Sequence, residues 1–324
     1  MRRLIGLIGL LAVVGGAAEA HAQELRGGAK RKVMIVSSKD GTPQPCYLIV
    51  PEKPLRNERG ETPLLVALHS WSADLEQKRP EQEQACIDQG WIYLYPNFRG
   101  ANIRPEACGS ELAQQDILDA VAWARKSHQV DARRIYLTGV SGGGHMTMLM
   151  AGRHPELWAA ASAWAGISDL AAWHDRHRDT RYGKMMRASC GGAPGDSPEV
   201  DRQYRARSPL THLGAAKQVP LEIATGIHDG HTGSVPIRHA LAAFNAIAAA
   251  RGDTVIGEAE IQQLSRRNGR LADPQPSDQV TDATYGRAIH LRRHAGPARV
   301  TIFEGGHEGI VKAAIAWLAK HQKE

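Results

Sequence analysis

No block of lysines and arginines interleaved with aromatic side chains occurs in the 324-residue chain. The electrostatic footprint of a nucleic-acid-binding surface is therefore missing, although the formal charge is +6. A polyanionic substrate is permitted by that charge but not demanded. Cysteine is scarce: only Cys46, Cys86, Cys108 and Cys190 are present, and none has the close paired spacing of a zinc site. No internal repeat stands out, which argues against a solenoid or propeller. The apolar run Leu4 to Val14 is too short to span a bilayer.

That run belongs to a separate object. Arg2 and Arg3 precede it, and small residues follow, ending in Ala20-His21-Ala22. This is the layout of a secretory signal, with cleavage expected after Ala22 and no stable membrane insertion afterwards. Removing two arginines and Glu19 lowers the formal charge by one, to +5. With 42% hydrophobic residues, residues 23–324 are long enough to bury one large α/β core. An exported chain also meets conditions in which disulfides persist. Cys108 and Cys190 both lie in glycine-containing loop segments, and a bond between them is expected above the reactive edge of the sheet. Cys46 and Cys86 read equally well as buried free thiols or as a second pair.

Short apolar runs at residues 47–50, 64–68, 91–95, 135–137, 159–163, 221–224 and 299–303 mostly end in Pro, Gly, Asn or His, which predicts strands. Between them, Ile117, Ala120, Val121 and Ala124 share one helical face, and residues 74–89, 235–250 and 309–321 also read as helices. Strands alternating with helices imply a mostly parallel sheet covered on both faces, with ligands bound beyond the carboxyl ends of its strands. Two segments break the rhythm. Residues 173–212 lack sustained periodicity and are expected to form a cap, and residues 252–284 a surface insertion.

The most informative pentapeptide is Gly139-Val140-Ser141-Gly142-Gly143. It follows a predicted strand and precedes a helix, the setting of a nucleophile elbow, in which a serine occupies a strained turn and side chains at the flanking glycines would collide with backbone. A serine hydroxyl needs a base, and the base needs an orienting acid. His307 follows the 299–303 strand through Glu304-Gly305-Gly306 and precedes a helix; Asp229 lies just beyond the 221–224 strand. The order Ser141, Asp229, His307 is that of α/β-hydrolases. Asp169 competes for the acid position but also suits a helix cap before Leu170. His228 and His231 flank Asp229 without the ligand spacing of a metal site. The oxyanion would be held by the Gly142 N–H and by that of Trp71, or Ser70 if the turn is tighter.

Further residues carry a family resemblance. Tyr95-Pro96-Asn97-Phe98-Arg99-Gly100, Asp116 with Asp119, Val130-Asp131 and Arg133-Arg134-Ile135, leading into the elbow, resemble the catalytic domain of the prolyl-oligopeptidase-like branch of α/β-hydrolases over most of residues 45–324. The resemblance implies a Ser-Asp-His hydrolase that acts through an acyl-enzyme with no metal or organic cofactor. The branch includes peptidases and exported esterases acting on plant polysaccharides. Two departures favour an ester substrate, small or polymeric: too few residues precede the first predicted sheet strand for a β-propeller, and His69-Ser70-Trp71 stands where His-Gly-x is common. An aminopeptidase or dipeptidyl peptidase is the rival enzyme, and a hydrolase-like binding module the non-enzymatic rival. Substrate-lining candidates are His69, Trp71, Arg99, Asn102, Arg104, Glu106, His145, Trp164 and Trp173. Arg99 reads equally as a structural ion-pair partner, and Trp164 as core.

Overall fold

The computed structural model describes residues 25–324; the expected signal and its cleavage point lie outside the described residues. Nine strands form one sheet: β1 (Gly28–Val36), β2 (Pro43–Pro51), β3 (Thr62–Leu68), β4 (Ile92–Pro96), β5 (Val130–Val140), β6 (Ala160–Trp164), β7 (Leu221–Gly226), β8 (Ile289–Ala295) and β9 (Ala298–Phe303). Their spatial order is β1-β2-β4-β3-β5-β6-β7-β9-β8. The six strands from β4 to β9 in that order run parallel, and β1, β2 and β8 are antiparallel additions at the edges. This is the mostly parallel α/β sheet that the alternating pattern implies.

Strand β3 shows why the sheet must be covered twice, because all seven of its residues are buried. Leu64, Val66 and Leu68 join an apolar cluster on one face, while Leu65 and Ala67 join a separate cluster on the other. The first face is covered by α2 (Glu111–Ser127), α3 (Gly142–Arg153) and α7 (Arg238–Arg251), the second by α1 (Pro80–Asp88) and α9 (Val311–Leu318). Helix α2 begins where Ser110 Oγ accepts from Ala113 N–H and ends with Arg125 and Lys126 in its last turn, both favourable placements. Its Ile117, Ala120, Val121 and Ala124 stripe is buried.

Three differences from the sequence pattern have physical causes. The helix expected from residue 74 starts at Pro80, which occupies the first turn, where a missing N–H costs nothing. The cap contains three short helices, α4 (Leu170–His177), α5 (Arg181–Cys190) and α6 (Pro198–Arg207), each opened by a side-chain cap from Asp169, Thr180 or Ser197. The 252–284 segment contains a short α-helix, α8 (Glu258–Leu264), and a 3-10 turn at Pro276–Gln279, and anchors Ile256, Ile261 and Leu264 in the main core, so it is more than a surface insertion.

Candidate active site

Ser141 sits between β5 and α3 with φ 62° and ψ −117°, a conformation L-residues rarely adopt. The surrounding glycines make this possible. A Cβ on Gly143 would stand 2.4 Å from the Leu68 carbonyl oxygen, and one on Gly142 would stand 2.2 Å from the Trp71 nitrogen. The elbow is therefore pressed directly against the loop that follows β3. Ser141 N–H donates to the Trp164 carbonyl at 2.8 Å, tying the turn to the adjacent strand.

Asp229 follows β7 and His307 follows β9, which are neighbours in the sheet, so both side chains arrive at the same edge. Asp229 is 1% exposed. Its Oδ1 accepts from the backbone N–H groups of Gly230 at 2.9 Å and Val235 at 3.1 Å, and Thr225 donates to Oδ2 at 3.3 Å. The same Oδ2 lies 2.7 Å from His307 Nδ1. A carboxylate can only accept, so Nδ1 carries the ring proton and Nε2 offers a lone pair. Ser141 Oγ lies 2.9 Å from Nε2. The structure thus joins the three residues into one hydrogen-bonded relay that can deprotonate the hydroxyl. Asp169 is elsewhere: its Oδ1 caps α4 through Ala171 and Ala172 N–H. His228 pairs with Glu304 at 2.5 Å, and His231 contacts the Ser265 carbonyl.

The two oxyanion alternatives separate cleanly. Ser70 N–H is already donated to Gln77 Oε1 at 2.8 Å, which removes it from contention. The N–H groups of Trp71 and Gly142 have no protein acceptor among the described residues, and the approach of Trp71 to Gly142 places them side by side. Asn102 pins this loop by donating its own N–H to the Trp71 carbonyl at 3.0 Å.

Above Ser141 and His307 lies a cleft of about 690 Å³, within the range of small-ligand sites. Of the proposed lining residues, only Trp71 and Trp164 border it. His69 is buried, stacked on Phe98 at 3.9 Å, and bonded through its ring nitrogens to the Asn97 and Ser70 carbonyls. Arg99 is sealed in an ion cluster with Asp116 and Asp40, the structural alternative raised above. Asn102 Oδ1 accepts from Cys108 N–H. Arg104 donates to the Arg99 carbonyl, and the backbone carbonyl of Glu106 accepts from Ser110, both outside the cleft. His145 is buried and bonded to the Arg207 carbonyl at 2.8 Å, while Trp173 donates to the Ser234 carbonyl and packs edge-on against Trp71 at 4.7 Å. These last two therefore brace the oxyanion loop from behind. Missing from the sequence reading are Arg79 at the start of α1 and Arg181 and Tyr182 on α5, which do border the cleft. Only the folding of the cap brings α5 there, and no local motif announces it.

The expected Cys108–Cys190 bond is not formed. All four cysteines are free and buried. Cys108 and Cys190 pack as small apolar groups in one cluster with Trp71, Trp173 and Tyr204. Burial raises both thiol pKa values, that of Cys190 to about 11, and so keeps them protonated and unreactive.

The model of the prolyl oligopeptidase family matches residues 79–258, more than half of the chain. Among curated proteins, an uncharacterized peptidase of Bacillus subtilis is 30% identical over 164 residues, 50% of this chain and 60% of that one. Feruloyl esterase B of Talaromyces stipitatus is 25% identical over 202 residues, 59% of this chain and 49% of the other. Acetylxylan esterase A of Emericella nidulans is 43% identical over 130 residues, 37% and 41% of the two chains. The matches thus span 41–60% of the length of these relatives. Among solved structures, uncomplexed acylaminoacyl peptidase of Pyrococcus horikoshii superposes with a TM-score of 0.60 at 18% identity, covering 92% of this chain and 41% of that one. At that identity the likeness speaks for the fold. The family match ends before His307 and begins after Trp71, so those two positions rest on the geometry alone. With an α/β-hydrolase sheet and a family model that spans both Ser141 and Asp229, the chain belongs to the prolyl oligopeptidase family of serine hydrolases.

Proposed function

We propose that this protein is an exported serine esterase that cleaves carboxylic esters of carbohydrates, with Ser141 as nucleophile, His307 as base and then acid, and Asp229 as orienter. The observation that carries the reading is His307 bridging Ser141 at 2.9 Å and Asp229 at 2.7 Å beneath an accessible cleft. In the first half-reaction Ser141 Oγ attacks the ester carbonyl while Nε2 takes its proton. The charge that develops on the carbonyl oxygen is received by the Trp71 and Gly142 N–H groups, each worth about 2.7–4 kcal/mol of transition-state stabilisation in comparable sites. Nε2 then returns the proton to the departing alcohol. Water, deprotonated by the same nitrogen, attacks the acyl-enzyme and releases the acid. Asp229 holds the ring in the tautomer both steps need and stabilises the imidazolium.

The choice of ester over amide is supported by the similarity to feruloyl and acetylxylan esterases. It is also supported by the half-buried ring of Tyr182 at the border of the cleft, a flat face on which a sugar or aromatic acid can lie. A panel of acetylated xylan, feruloylated oligosaccharide, methyl-esterified pectin and peptide amides tests the assignment. Turnover of one or more of the esters well above that of every amide is expected, and faster amide cleavage would overturn it. Export is tested separately by N-terminal sequencing of the processed protein, which should begin at Gln23.

A further inference from the structure

The charges around the cleft are unevenly matched. Lys78, Arg79, Arg181, Glu81 and Glu308 border it. Glu308 is already held by Arg287 through both carboxylate oxygens, at 2.6 and 3.0 Å. Among the described residues, none of the three cations has a carboxylate partner, whereas Arg287, which neutralises Glu308 beside them, does. Arg79 Nη2 donates to the neutral hydroxyl of Ser70 at 2.8 Å, and that hydroxyl donates to the Val140 carbonyl at 3.3 Å. The guanidinium is therefore two hydrogen bonds from the residue that precedes the nucleophile. Arg79 also caps α1 with no side-chain acceptor for the first-turn amides, whose partial positive charge adds to its own. Arg181 enters from the cap, lying over the Tyr182 ring at 4.9 Å. Three cations against the single uncommitted carboxylate of Glu81 leave a positive field beside Ser141, in a concave site where such fields are strongest.

We propose that the cleft accepts esters bearing a carboxylate near the scissile bond, held by Arg79 and Arg181, and that the natural substrate is an acylated saccharide containing uronate residues. This rests on the esterase reading above and names its substrate class. Arginine suits the role because its planar fork pairs with a carboxylate through two parallel hydrogen bonds. Lys78 supplies a third, more mobile charge at the rim.

The test compares neutral and anionic partners of matched shape: 4-nitrophenyl acetate with 4-nitrophenyl hemiglutarate for charge on the acyl side, and phenyl acetate with 4-carboxyphenyl acetate for charge on the alcohol side. Acetylated polygalacturonate and acetylated xylan provide the polymer arm. The full-length enzyme should favour the anionic member of at least one small-molecule pair, and the uronate polymer, by about tenfold in kcat/KM, a preference that shrinks as salt is raised. Arg181→Gln and Arg79→Gln should each lower the anionic-to-neutral ratio severalfold, and Arg181→Lys should retain most of it. Arg181 is exposed on α5, so its variants keep the test intact if Arg79→Gln disturbs the oxyanion loop. An anionic-to-neutral ratio of one or below in both pairs, or a ratio unmoved in Arg181→Gln, would overturn the proposal while leaving the esterase reading standing. Failure to hydrolyse any ester would overturn both, and preferential cleavage of peptides with a free C-terminal carboxylate would assign the cations to a peptidase instead.

Discussion

Two buried charge networks occupy the same edge of the sheet and are put to opposite uses. Beyond β4, Arg99 donates four hydrogen bonds to Asp116 and Asp40, at 2.6, 3.0, 2.7 and 3.0 Å, and a fifth to Ser37. All three of its nitrogens are engaged, and the facing carboxylates push its pKa further above an already high value. Beyond β7 and β9, Asp229 is equally buried and equally well satisfied, but the histidine it holds keeps its second nitrogen directed at the cleft, with a side chain 25% exposed. Charge at a strand end does not distinguish structure from chemistry. What distinguishes them is whether the network closes on itself or ends, as His307 does on the Ser141 hydroxyl, at a side chain that borders the cleft.

The sharpest way to break this comparison is Ser141→Ala, which should lower kcat on a short acyl aryl ester by about 10⁶-fold with an unchanged thermal melt. Next is the contrast between two buried carboxylates. Asp229→Asn should cost about 10⁴-fold in kcat because the ring tautomer is lost, whereas Asp116→Asn should leave turnover per folded molecule near that of the parent. The third effect is on stability: Arg99→Ala leaves Asp116 buried and unpaired, and urea titration should show a loss of about 3–5 kcal/mol. The fourth concerns His145, whose pKa burial lowers from 6.5 to about 4. Between those values the unfolded chain binds a proton that the native state does not, so stability rises with pH across the window and is lost on acidification, by up to about 3 kcal/mol. Denaturation at pH 7 and pH 4 should show that loss, and His145→Gln should reduce it without abolishing it, because burial lowers the pKa values of His239 and His69 as well.

How much of this was legible beforehand follows from where each signal resides. The elbow could be read because its constraint is local: a strand, two flanking glycines and a helix within a few residues. The central strands could be read because burial on both faces demands unbroken apolar runs such as 64–68. Edge strands obey a different rule. β1 contains Lys30, Arg31 and Lys32 and is mostly exposed, so its composition resembles a loop. β8 contains Arg292, Arg293 and His294, and its arginines are accommodated by carboxylates far away in sequence, Arg292 by Asp282 at 3.0 Å and Arg293 by Glu260 at 3.0 Å. Those partners come from the 252–284 segment, which the sequence pattern marks as a surface insertion. The cleft walls were the least legible part, since Arg79 and Arg181 lie far apart in sequence and border one cleft only in the folded chain. His69, His145 and Trp173 fall outside the lining for the complementary reason: a position near the site along the chain does not say whether the side chain turns toward the cleft or into the core, and all three are buried.

The cap is also tied to the acid loop, because Trp173 Nε1 and His177 Nε2 both meet the Ser234 carbonyl, at 2.9 and 2.7 Å, and Val235 N–H in turn supports Asp229. Helix α4, which packs against α5, is thus joined to the relay at the sheet edge through one short loop.

The most direct test of the relay is reaction with a fluorophosphonate probe followed by peptide mass mapping of the adduct. The account predicts one adduct per chain, on Ser141, formed rapidly by the native protein and greatly slowed in His307→Gln. Absence of labelling in the native protein, or an adduct on any other residue, would contradict it.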